Sequence, residues 1–214
     1  VDRKRLVDDV LGDLATPARG IVPDVVPQHL GNKPTLDYDP DLAQKLIREA
    51  GWAGKLPPLD LWVTDTLGDR RRSAELVTAM LRENLGVDVQ LRLVESSVLI
   101  QRATRKELGF FFGSWYADYL DPENFLSVLL SSYGQNRTAW NNPEFDRLCR
   151  TADAMIDGPE RQILYYRAES IALVEAPWIP LYHPREAVVI RKGVTGLQTN
   201  AFGMLPPVGV TRSP

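Results

Sequence analysis

The sequence predicts an α/β fold, with a sheet flanked by helices, from three observations. Leu59–Thr64 and residues 87–94 both alternate apolar and polar side chains, as half-buried strands do. Phe110-Phe111-Phe112 is apolar throughout and reads as a third strand, central in the sheet. Helical stretches separate the three, and the order strand, helix, strand, helix, strand belongs to an α/β layer with right-handed crossovers.

The chain opens at Val1 inside an amphipathic helix that carries Leu6, Val7, Val10 and Leu11 on one side. A helix already under way leads us to expect the later part of a longer protein. Residues 16–38 contain Pro17, Pro23, Pro27 and Pro34, too many prolines for a helix or a central strand, and read as a surface connector. Asp39-Pro40-Asp41 then supplies an N-cap, a first-turn proline and an early acid. The helix that follows has Leu42, Ala43, Leu46, Ile47 and Ala50 as its buried face and stops at Gly51.

After the first strand, the turn from Asp65 and Thr66 leads into a helix over 70–85, ended by Gly86. Ser96 or Ser97 caps a helix that runs to Lys106. Two further helices, over 142–156 and 159–175, have starts in Asn142-Pro143 and Asp157-Gly158-Pro159. Pro177 and Pro180 break the second of these and introduce a last strand pair over 181–191. The tail over 193–214, rich in glycine and proline, would bury little by itself.

Several function classes are disfavoured by composition. A net charge of -3 in 214 residues provides no basic surface of the kind phosphate neutralisation needs, so nucleic acid is not an expected partner. No run approaches the ~20 apolar residues of a membrane span, and the opening residues lack a signal peptide's apolar segment. Cys149 stands alone and shares a helical face with Phe145, Leu148, Ala152 and Ile156, which predicts a buried thiol. His29 and His183 are far apart in sequence and lie in no ligand motif, so we expect neither a metal nor another cofactor. The Asn136-Arg137-Thr138 triplet matches a glycosylation acceptor but is too common to carry weight.

The run from Trp115-Tyr116-Ala117-Asp118-Tyr119 to Asp121-Pro122-Glu123-Asn124-Phe125-Leu126 holds the most chemistry. A carboxylate among aromatic side chains suits a small cationic or amphipathic ligand. The competing reading is structural, since aromatics after a strand finish cores and Asp-Pro opens helices. Position favours a site, because ligands of α/β sheets collect beyond the carboxyl ends of the strands, where residues 64–69 and 114–118 both fall. Asp118 could pair with Asp121 or Glu123 as acid and base for hydrolysis. Asp121-Pro122-Glu123 has the composition of a helix start, however, which leaves Asp118 as the carboxylate without a structural task.

Several segments together resemble the C-terminal half of an extracytoplasmic solute-binding protein of the oligopeptide and dipeptide ABC-importer class, bacterial solute-binding protein family 5. They are Val1-Asp2-Arg3-Lys4-Arg5-Leu6-Val7, Tyr38-Asp39-Pro40-Asp41-Leu42-Ala43, Leu85-Gly86-Val87, the Trp115-Tyr116-Ala117-Asp118-Tyr119 run with Asp121-Pro122, Asn142-Pro143-Glu144-Phe145-Asp146 and Ala176-Pro177-Trp178-Ile179-Pro180-Leu181-Tyr182.

The resemblance implies one lobe of a two-lobed, periplasmic-binding-protein-like type II fold, with a mixed sheet flanked by helices. Residues 1–30 would come from the N-terminal lobe, 31–185 would form the C-terminal α/β lobe, and 186–214 would return toward the first. It implies a receptor without chemistry of its own that binds peptides or a related small solute between lobes. The receptor would deliver its ligand to the membrane permease subunits of an importer, from the periplasm or the extracellular face, and a lipoprotein anchor is compatible with it. Asp118 resembles the acceptor of a peptide's α-ammonium; Trp115 and Tyr116 would line its pocket, with Asp65, Thr66, Arg70, Ser96 and His183 contributing to the cleft. Ser96, Ala103 and Phe112 depart from the tryptophan and arginines that some peptide receptors carry, and the motif also occurs in members that carry other solutes. A hydrolase and the ligand-sensing lobe of a regulator remain as alternatives.

Overall fold

The computed structural model describes residues 1–27, 37–64, 68–185, 187–198 and 209–212. The first helix, α1 (Arg3–Leu6), continues into a wider turn over Val7–Leu11, and Leu6, Val7 and Leu11 are buried as the pattern predicts. Strand β1 (Ala15–Pro17) follows, then α2 (Pro40–Glu49), capped by Asp39, whose carboxylate accepts the Leu42 N–H at 2.8 Å.

Three parallel segments form the sheet that matters for the site. Strands β2 (Leu59–Thr64) and β3 (Val89–Val94) pair in parallel, with Leu59 opposite Val89 and Thr64 opposite Val94. Helix α3 (Gly68–Leu85) connects them and α4 (Ser96–Thr104) leaves β3. On the other edge of β2, Trp62 donates to Phe110 O at 3.1 Å and accepts from Phe112 N at 2.8 Å, a single parallel bridge. The strand between two neighbours is therefore β2, and the triple phenylalanine lies beside it rather than at the centre among the described residues. Its unbroken apolarity has another cause: both faces are covered. Phe112 packs with Leu61, Val63, Ala74 and Val89 on the α3 side, while Phe111 packs against Leu99, Ala103 and Leu108 on the α4 side.

The chain steps from β2 to β3 in one direction and returns past β2 to Phe111 in the other. Right-handed crossovers then require α3 and α4 on opposite faces, as observed. All three carboxyl ends point the same way, and the reversal of direction marks where such sheets open a crevice.

The second core is helical. Short α5 (Pro122–Leu126), α6 (Pro143–Asp153) and α7 (Pro159–Glu175) bury Phe125, Leu126, Phe145, Leu148, Cys149, Ala152, Ala168 and Ala172 together. Asn142 caps α6 by accepting from Glu144 N and Phe145 N, both at 3.0 Å. Ile21, Val22 and Val26 of the connector share this core, and Glu169 of α7 accepts the N–H groups of Ile21 and Val22. The packing thus runs without a break between residues 21–26 and α7.

Four local expectations are corrected. Instead of a strand pair over 181–191, the described residues there contain one strand, β4 (Tyr182–Pro184), antiparallel to β1, with Thr16 opposite His183. An isolated two-stranded ribbon tolerates Pro17 and Pro184 because neither has to donate to a further neighbour. The apolar stripe of α2 is not buried among the described residues: Leu42 and Leu46 are 46% and 55% exposed on a helix that packs along α3. Helix α6 ends at Asp153, so Ile156 falls outside it and is 92% exposed, although Cys149 is buried as expected. At α4 the cap position is Glu95, and Ser96 is the first helical residue. The tail contributes β5 (Val194–Thr195) and β6 (Thr211–Arg212), an antiparallel pair.

Candidate functional site

Residues 113–121 leave the carboxyl end of the Phe111 segment and cross the edge of the sheet. Burial alternates along them: Trp115 and Ala117 are half-buried and pack on the helical core, whereas Tyr116 and Asp118 are exposed, Tyr116 at 67%. The two readings of this run therefore apply to alternate residues. Trp115 and Ala117 finish a core, and Tyr116 and Asp118 face outward. Among the described residues no side chain hydrogen-bonds the Asp118 carboxylate.

The backbone beneath Asp118 is held firmly. Asn124, buried on α5, accepts the Trp115 indole N–H at 3.3 Å and the Asp118 backbone N–H at 3.1 Å on the same oxygen. Asp121 caps α5 through the Glu123 N–H at 2.8 Å and receives both guanidinium nitrogens of Arg161 from α7. Glu123 accepts the Tyr119 hydroxyl, which raises the Tyr119 phenol above its ordinary value. Both acids that hydrolysis would ask to work with Asp118 are thus committed to structural partners.

Arg70, on the first turn of α3, donates to Ser114 Oγ at 2.8 Å and so ties the end of β2 to the start of the site loop. Burial pushes the Tyr182 phenol up, while Ser73 and then Arg70 lower it, and Tyr116 and Asp69 act in the upward direction. Arg70 therefore bonds Ser114 and acts electrostatically on the Tyr182 phenol. Ser96 is exposed just past the carboxyl end of β3. Strand neighbours point to opposite faces, so the His183 side chain leaves β4 on the face opposite Tyr182 and away from this group. Asp65 and Thr66 lie outside the described residues. Among those described, no three His, Cys, Asp or Glu side chains gather as a metal site, and no helix is long and apolar enough to cross a membrane.

Sequence reasoning missed Asn124, Arg161, Ser114 and the orientation of Tyr182. Asn124 left a signal: a lone amide inside the apolar stretch of Pro122, Phe125 and Leu126 needs a buried partner. Arg161 left none, because its partner lies 40 residues earlier.

A family model described as bacterial extracellular solute-binding proteins, family 5 Middle, matches residues 1–137. The chain belongs to this family. Probable di/tripeptide-binding protein 5 of Pseudomonas aeruginosa is 30% identical over 94% of this family-5 chain and 39% of its own length. Heme-binding protein A of Haemophilus influenzae is 30% identical over 95% of the chain and 38% of its own. Among solved structures, the murein tripeptide-binding protein MppA of Escherichia coli superposes with a TM-score of 0.84 at 28% identity, covering 92% of this chain and 40% of that one. HbpA2 of Haemophilus parasuis superposes with a TM-score of 0.87 at 28% identity, over all of this chain and 43% of that one. The architecture is that of the type II periplasmic-binding-protein-like fold, and the chain spans about two fifths of the length of these relatives.

Proposed function

We propose that this family-5 chain is the C-terminal lobe of a receptor that binds a peptide or a related small solute and delivers it to the permease subunits of an ABC importer. One observation carries the reading: Asp118 presents an exposed carboxylate that no side chain among the described residues hydrogen-bonds, on a fixed loop beside Tyr116, at the carboxyl edge of the parallel strands. In this reading Asp118 accepts the ligand's ammonium, Trp115 and Tyr116 form the wall beside it, and Arg70 and Ser96 bound the cleft. Asp65 and Thr66 belong to its outer contacts, whereas His183, on the face of β4 opposite Tyr182, stands away from it. A second lobe, supplied by the rest of the full-length protein, closes over the ligand by a hinge and excludes water, which strengthens the ion pair. Of residues 1–30 and the tail from 186, which the resemblance assigns to that lobe, Ile21, Val22 and Val26 pack instead in the helical core of this one.

No catalytic step is assigned, and the receptor works in the periplasm or at the extracellular face, with or without a lipid anchor. The names of the relatives support a peptide or small-solute ligand, and the heme-binding name shows that the family's ligands are not all peptides.

The test is calorimetry on the full-length protein with tri-alanine and with N-acetyl-tri-alanine. A hydrogen bond to a charged group contributes about 1.5–3 kcal/mol, so Asp118→Asn should weaken tri-alanine binding about tenfold or more. It should leave the acetylated peptide, already weak, nearly unchanged. Equal affinity of wild type and Asp118→Asn for tri-alanine would refute the assignment, as would hydrolysis of the peptide that disappears in the variant.

A further inference from the structure

We propose that Asn124 is the positioning residue of the binding loop: its buried side-chain amide sets the direction in which the Asp118 carboxylate is presented. The inference rests on the ligand-binding role given to Asp118 above.

The geometry is specific. Asn124 is 5% exposed, and its Oδ1 receives two donors from the loop, the Trp115 indole at 3.3 Å and the Asp118 backbone N–H at 3.1 Å. A carbonyl oxygen has two lone pairs, and here both are used by the loop it supports. One side-chain oxygen thus holds two of the five residues from Trp115 to Tyr119. Its own platform is rigid. Asp121, three residues earlier, is gripped by the buried Arg161, and Phe125 and Leu126 on either side of the next turn are sunk in the helical core.

Holding the Asp118 N–H fixes the plane of the preceding peptide and the N–Cα axis about which the residue turns. Rotation about that axis and within the side chain is then what remains to be ordered when a cation arrives. Precision of this kind, about half an ångström in a supporting group, separates a working site from a loose one. Asp118 is itself exposed, so a loop released by Asn124 can satisfy its N–H with water. The consequence of losing the amide should therefore appear in ligand binding more than in the folding of the lobe.

Two variants separate positioning from simple packing. Asn124→Leu has nearly the same volume and no acceptor; Asn124→Asp keeps the acceptor oxygen. On the full-length protein with tri-alanine, Asn124→Leu should bind about tenfold more weakly and Asn124→Asp within about threefold of wild type. If Asn124 acts through Asp118, adding Asn124→Leu to Asp118→Asn should produce little further loss.

A second readout is independent of any ligand. In ¹H–¹⁵N spectra the Trp115 indole resonance, assigned with Trp115→Phe, and the Asp118 amide should shift upfield in Asn124→Leu and stay in place in Asn124→Asp. Should Asn124→Leu fail to fold, Asn124→Ala carries the same comparison.

Wild-type affinity in Asn124→Leu, or a loss that adds in full to that of Asp118→Asn, overturns the proposal. Unmoved indole and amide resonances do so as well. If wild type does not bind tri-alanine, the functional reading fails by itself, and the spectra still decide whether Asn124 holds the loop.

Discussion

Arg161 grips Asp121 with both terminal nitrogens, Nη1 at 2.8 Å and Nη2 at 3.0 Å, across 40 residues of sequence. The guanidinium is 8% exposed and lies over the Tyr165 ring at 4.7 Å, so the pair is largely removed from water. It fastens the cap of α5 to α7 and so secures the loop that carries Asp118. Replacing Arg161 by Ala leaves Asp121 without its fork. Removing one partner of a fully buried pair costs about 3–5 kcal/mol, and the part-exposed Asp121 brings this case below that range, to about 2–3 kcal/mol. Urea unfolding of Arg161→Ala and Arg161→Lys checks this; lysine should recover less than half the loss because it cannot form the bidentate contact.

Glu169 ties the connector to the helical core. Its Oε1 accepts Ile21 N at 2.6 Å and Val22 N at 2.9 Å, and the residue is 2% exposed. Glu169→Ala strands two buried N–H groups and should cost about 2–4 kcal/mol, whereas Glu169→Gln keeps an acceptor and should cost about 1 kcal/mol. Hydrogen exchange at the Ile21 and Val22 amides should rise sharply in the alanine variant and only slightly in the glutamine variant.

Tyr165 predicts an alkaline limb in the stability profile. Burial pushes its phenol well above the ordinary value, and the hydroxyl's bond to Asp153 at 2.7 Å acts in the same direction. The folded state therefore keeps this proton at pH values where the unfolded chain has released it. Above about pH 10 the unfolded state binds fewer protons than the native one, and stability falls as pH rises. Tyr165→Phe should show a shallower decline above pH 10, while being about 1 kcal/mol less stable at pH 7 through lost hydrogen bonds to Arg161 and Asp153. Denaturant titrations of both proteins from pH 7 to 11 measure the difference in slope.

Cys149 should be inert in the folded protein. It is 1% exposed in the α6–α7 core, and burial raises its thiol far above the range where a thiolate forms near neutral pH. A maleimide should label it only after denaturation, with a native labelling rate that follows the opening of the core. Rapid labelling of the native protein would place the thiol elsewhere.

Features that depend on residues a few positions apart are legible in the chain alone. Asp39 before Pro40, Asn142 before Pro143 and Asp121 before Pro122 each start the helix they predict, because a cap bonds to N–H groups within the next turn. The alternation in Leu59–Thr64 and the buried face of Leu6, Val7 and Leu11 were legible for the same reason. The motif around Asp118 was also visible, together with its place at the end of a strand.

Which distant groups meet is set by packing. The residues of β1 resemble a loop until β4, more than 160 residues later, supplies the partner. The stripe on α2 looks buried until packing leaves it exposed. Whether Asp118 is loose or aimed depends on Asn124, and Asn124 on the platform held by Arg161. Local chemistry can specify a donor or an acceptor, but the geometry that joins the two across the chain exists only once the cores have packed.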